Sequence, residues 1–200
     1  MEEKIKEAIA IISKAQKVYD TWLGYEFTYI YKKKDGSFEE LNFLPMKKNF
    51  LHLCGVNCHK GSRPIKAKEF YNLLFNDRIH PSMISFKSDG TTELKLSAFE
   101  HIDLVLTCRM RVIGERLTML RADYDKAIRS DKVLIVVGLA YDNGNYIPKS
   151  LLDGKTLRSL PTGREVHCIY GKNLSTKEIS LYDCKEEFKT TKKYREIFNC

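Results

Sequence analysis

The chain has 200 residues, 43% hydrophobic and 30% charged, with eleven Gly and five Pro, which is enough to build one substantial core and leads us to expect a single domain over residues 1–200. The longest uncharged apolar run, residues 133–141, is too short to span a bilayer, and a lysine-bracketed amino terminus does not fit a signal peptide, so the expectation is a cytoplasmic protein with no membrane partner and with its six cysteines as reduced thiols. A formal charge of +8, from 34 Lys and Arg against 26 Asp and Glu, concentrates polyanions near the surface, so nucleic acid leads the candidate partners, with a generic basic surface as the plainer reading.

Ile5, Ala8, Ile9, Ile12, Gln16 and Tyr19 share one helical face, which predicts a helix over residues 3–20. After Gly24 the period becomes two. Tyr25, Phe27, Tyr29 and Tyr31 alternate, residues 34–37 form a turn, and Leu41 with Phe43 resumes the pattern of a β-hairpin. Such aromatics can make a stacking platform for bases, but they more often form the buried face of a sheet, so at least one of these tyrosines is expected in the core. A short helical turn carrying Phe50, Leu53 and Cys54 ends at Gly55. A polar connection over residues 57–64 leads to a helix over 65–76 with Phe70, Leu73 and Leu74 inward.

Phe99, Ile102, Leu106, Met110, Ile113 and Leu117 recur every three or four residues, which predicts a long helix over 92–121 with Arg109, Arg111, Arg116 and Arg121 on its other faces. A row of that kind is usually solvated and can also bind phosphate. Residues 133–141 read as a central strand covered on both sides, and Asn143-Gly144 as the turn of a hairpin whose return strand carries Pro148. Val166, Cys168 and Tyr170 mark a third strand, residues 179–182 a fourth, and 185–200 a terminal helix.

Metal-free RNA cleavage needs a base for the 2′-hydroxyl proton, an acid for the leaving oxygen, and cations facing the phosphorane. Suitable groups bunch twice, at His52, His59, Lys60, Ser62 and Arg63, and at Tyr146, Lys149 and Ser150. His52, Cys54, Cys58 and His59 are also zinc-ligand types, which would make a zinc-stabilised binding module, but no second pair of ligands follows downstream. There is no glycine-rich phosphate loop and no evident acidic pair for magnesium.

The stretch Phe50-Leu51-His52-Leu53-Cys54-Gly55-Val56, then Lys60, Phe70-Tyr71-Asn72-Leu73-Leu74 and Asp77-Arg78-Ile79, resembles the amino-terminal signature of a phage-associated nuclease family, the barnase, EndoU, colicin and RelE-like grouping of phages and mobile elements. Residues 134–136, 146–152 and 166–172 look like its later strands, so the similarity runs over about residues 40–175. Residues 82–97 are longer than that pattern, and Cys54 stands inside the histidine motif.

The resemblance implies an α+β fold, an antiparallel β-sheet with packed helices, and a metal-independent endoribonuclease with no cofactor. In it His52 matches the motif histidine, Ser150 the hydroxyl of the return strand and Lys172 a basic position near the end of the third strand. Beside the resemblance, we read His52 as general base or acid, Tyr146 and Ser150 as the groups that orient the phosphate, and Lys60, Arg116, Lys149 and Lys172 as its candidate contacts. Partners would be RNA or another nucleic acid, together with an antitoxin or immunity protein. The alternative is a non-catalytic phage-encoded inhibitor whose basic surface occupies nucleic acid or the nucleic-acid channel of a host defence nuclease. The enzymatic expectation requires His52 and Ser150 to converge on a reachable basic cleft.

Overall fold

The computed structural model describes residues 1–200 except Glu115, Leu120, Arg121, Arg158 and Cys200. Helix α1 (Glu2–Asp20) buries Ala8, Ile12, Ala15, Gln16 and Tyr19, with Glu2 and Glu3 in its first turn and Lys17 in its last, where each charge suits the helix dipole. Strands β1 (Tyr25–Lys32) and β2 (Phe38–Phe43) form the expected hairpin. Helix α2 (Lys47–Cys54) stops at Gly55, whose φ of +67° suits a residue without a Cβ. The expected polar connection instead contains β3 (Val56–Lys60) and β4 (Arg63–Pro64), which join β5 (Ile84–Phe86) in a small sheet ordered β4-β3-β5. Helix α3 (Ala67–Phe75) lies between them in sequence, and α4 (Thr91–Phe99) follows.

The long helix expected over 92–121 is not formed. α4 ends at Phe99, a 3-10 turn spans Ile102–Leu106, and the chain then becomes extended as β6 (Met110–Ile113) and β7 (Leu117–Met119). Met110 and Val112 alternate inward on β6, so a period of two coincided there with a spacing of three and four. Arg111 therefore lies on β6, Arg109 in the turn before it and Arg116 between β6 and β7; Arg121 falls outside the described residues.

Strand β8 (Ala122–Tyr124) pairs with β7. Then come β9 (Lys126–Ser130), β10 (Ile135–Asp142), β11 (Asn145–Asp153), β12 (Arg164–Asn173) and β13 (Ile179–Cys184). The expected terminal helix is two short ones, α5 (Glu186–Lys189) and α6 (Lys192–Phe198).

The expectation of an antiparallel sheet needs correction, because the sheet closes on itself. Seven strands run in the order β1-β2-β11-β10-β9-β6-β12 and back to β1, making a barrel with β13 attached along β12. The seam is parallel and short: Phe43 of β2 meets Tyr146 of β11, and the Leu44 N–H donates to the Tyr146 carbonyl at 2.9 Å. α2 and α4 pack along β11 beside that seam.

One cluster takes apolar side chains from all seven barrel strands, including Phe27, Leu41, Leu151, Val137, Ile128, Met110 and Val166, together with Tyr19, Phe50 and Phe99 of the helices. The opposite strand faces are covered separately. Val136, Ala127 and Ile113 lie under β7 and β8, while Ile30 and Cys168 lie under Phe188 of α5. Continuous apolar sequence in β10 is thus explained by cover on both faces, as expected. Tyr29 is sealed in the interior and donates to the Val105 carbonyl at 2.7 Å. No helix among the described residues is long and apolar enough to cross a membrane.

Candidate active site

At the end of β1 away from α1, the inward alternation brings polar groups to the mouth of the barrel. Tyr31 of β1 stands opposite Glu39 of β2 in register. Burial pushes the Tyr31 phenol well above its usual range, and the facing Glu39 carboxylate adds to the shift. Lys126, the first residue of β9, places its ammonium 3.5 Å from the Tyr31 hydroxyl and 5.0 Å from the centre of the Tyr146 ring. Arg164 opens β12. Tyr31, Lys33, Lys34, Asp35, Glu39, Gly114, Lys126 and Arg164 line a cleft of about 390 Å³, four cations against two carboxylates.

Two neighbouring hollows share Arg164 with this cleft and extend it past Gly163 toward Arg111 and His167. Gly163 has a φ of +72°, and a Cβ there would lie 3.0 Å from the Val112 carbonyl oxygen, so the floor at this point is built for glycine. Buried Arg129 straps the loop beneath the cleft, its guanidinium donating to the carbonyls of Pro161 and Thr162. Arg111 donates to the Thr162 carbonyl and to Glu165, which also accepts from Lys185; those two cations hold the Glu165 carboxyl below its usual value, Lys185 first.

The remaining charge is unbalanced. Among the described residues, Lys32, Lys33, Lys34, Lys126 and Arg164 have no carboxylate within 4.0 Å of their cationic nitrogens. His167 is only 8% exposed, its Nδ1 is buried without a hydrogen-bond partner and lies 3.7 Å from Glu187, and burial, then Lys185, lowers its pKa against the pull of Glu187. Chemically, the mouth combines unpaired cations that can hold a phosphate with a carboxylate able to move a proton.

The family model described as phage-Barnase-EndoU-ColicinE5/D-RelE like nuclease4 matches residues 11–198. The chain belongs to this family. The match runs from within α1 to the end of α6, and family membership points to nuclease activity on a nucleic-acid substrate. No curated protein and no solved structure matches the chain.

Of the residues singled out in the sequence, Tyr146 lies at the mouth, stacked by Lys126. Arg116 is close by in chain, 3.8 Å from Asp125, the neighbour of Lys126. The others lie elsewhere. His52 is exposed on α2, and its carbonyl accepts from the buried Lys95 ammonium at 2.7 Å; partial desolvation first, then Lys87 and Lys95, lowers its pKa. Ser150 is 7% exposed, opposite Gly138 of β10, and no hydrogen bond joins it to His52. Lys149 reaches across to the Asp123 carbonyl and the Tyr124 ring. Lys60 is exposed at the end of β3, and Lys172 is exposed at the end of β12 remote from Arg164.

Among the described residues no three His, Cys, Asp or Glu side chains group as metal ligands. Cys54 is buried and donates to the Phe50 carbonyl within α2. Sequence reasoning missed Glu39, Lys126 and Arg164. The signal for Glu39 and Arg164 was the inward register of their own strands, Glu39-Leu41-Phe43 and Arg164-Val166, each ending in a charge where an apolar residue is expected.

Proposed function

We propose that this chain is a metal-independent endoribonuclease whose chemistry runs at the barrel mouth. The observation that carries the reading is the convergence of unpaired Lys126 and Arg164 on a cleft that also holds the facing Tyr31 and Glu39. Glu39 takes the proton of a ribose 2′-hydroxyl, the 2′ oxygen bonds to phosphorus, and the bond from phosphorus to the 5′ oxygen breaks. The Lys126 ammonium gives the departing 5′ oxygen its proton. Arg164 and the lysines of residues 32–34 face the charge that builds on the phosphorane, the post a metal ion fills in other nucleases. Tyr31, held protonated by burial, donates a hydrogen bond rather than a proton.

Lys60, Lys149, Lys172 and Arg116 contribute to the positive field that draws the polyanion in. Incubating the purified protein with RNA in excess EDTA tests the proposal. Products ending in 2′,3′-cyclic phosphate are expected, and a protein that leaves RNA intact, or cuts only when metal is restored, overturns it.

A further inference from the structure

Of the aromatic residues that alternate along β1, Phe27 and Tyr29 are sealed in the core, Tyr31 is buried at the cleft wall and Tyr25 is half-buried, so none offers a free ring face at the mouth. An exposed aromatic stands beside the mouth instead. Tyr141, at the end of β10, is 59% exposed and lies directly opposite Tyr146 across the hairpin. Their ring centres are 5.3 Å apart at 62°, so Tyr146 supports one side of Tyr141 and leaves the rest of that ring to solvent. Tyr146 in turn rests on Lys126. Tyr141, Tyr146, Lys126 and Tyr31 therefore form a continuous row from the hairpin tip into the cleft.

The tip is held in place. The Tyr141 N–H donates to Asp125 at 2.9 Å, Asp125 faces Arg116 at 3.8 Å, and the Asn143-Gly144 turn fixes the hairpin register. A large aromatic ring kept in water on a rigid hairpin, next to unpaired cations, suits a flat π-faced ligand that carries negative charge on one side.

We infer that Tyr141, backed by Tyr146, is a stacking subsite for an unpaired nucleobase, with the adjoining phosphate on Lys126. The inference rests on the nuclease reading and deepens it, because it makes single-stranded RNA the substrate class: a base held in a duplex cannot present its face to the ring. Arg116 is set to meet the next phosphate outward.

The test uses a short single-stranded 2′-O-methyl RNA, which cannot be cut by its own 2′ oxygen, carrying 2-aminopurine as a fluorescent base. Binding should quench the fluorophore. Tyr141→Ala should abolish most of the quenching and weaken binding by roughly 10-fold, Tyr141→Trp should restore both, and the fully paired duplex should bind alike to wild type and Tyr141→Ala. Melting curves establish that the variants are folded. Equal binding and quenching by wild type and Tyr141→Ala overturns the subsite even if RNA is cleaved. Tyr141-dependent quenching by a protein that cleaves no RNA upholds the subsite and removes the nuclease reading. Absence of binding to RNA by the wild type removes both and leaves the exposed ring to a protein partner.

Discussion

Glu39 shows how a single position carries the chemical account. It is exposed and pairs across the sheet with a buried tyrosine, so replacing its carboxylate by an amide removes a base without opening the core. Glu39→Gln should lower single-turnover RNA cleavage by roughly 100-fold or more while leaving the melting temperature in place. Cleavage at the wild-type rate would take the base role from it. Little of this was legible in the sequence, because Glu39, Lys126 and Arg164 come from three strands far apart in the chain, and none stands in a motif. Tyr146 was singled out through its place on the return strand, and the barrel seam does bring it to the mouth. His52 and Ser150 drew attention through local clustering and family resemblance, whereas the exposure of His52 and the near-complete burial of Ser150 depend on how α2 packs against the barrel.

Elements were legible where one period ruled. α1, the β1–β2 hairpin, α3 and the β10–β11 hairpin follow their apolar patterns and turn residues. The region from Phe99 to Leu117 was not, since the same apolar residues satisfy both periods and only tertiary burial of Met110 and Val112 selects the strand. Closure of the barrel was also hidden, for it depends on β12 pairing with both β6 and β1 along one long strand. The loop over residues 161–163 offers a direct check on the packing argument. Gly163→Ala forces a Cβ at positive φ toward the Val112 carbonyl and should cost about 1–3 kcal/mol in urea unfolding. Arg129→Met, which leaves the Pro161 and Thr162 carbonyls without their donor, should cost a similar amount, about 2 kcal/mol. Unchanged urea midpoints would show that the loop is held by other contacts.

For the whole molecule, stability should depend on pH through groups whose charged forms are disfavoured by burial. His52 and His167 both titrate below the usual histidine value in the folded chain. The unfolded chain then binds more protons below about pH 6.5, so stability falls as pH drops through that point. Lys95 acts with the same sign on the basic side. Burial, then repulsion from Lys87, lowers it to about 8, so above that pH the folded lysine is neutral while the unfolded one keeps its proton. The wild type should therefore gain stability relative to Lys95→Met between about pH 8 and about pH 10, read as the difference in urea midpoints; a constant difference would contradict it.

The claim on which the function depends is that the barrel mouth, rather than the helical face carrying His52, is where RNA is cut. Single-turnover cleavage of one RNA substrate in EDTA by Lys126→Ala and by His52→Ala, both verified as folded, decides it. A loss of roughly 100-fold is expected for Lys126→Ala and of less than about 5-fold for His52→Ala; the reverse order would move the chemistry from the barrel mouth to α2.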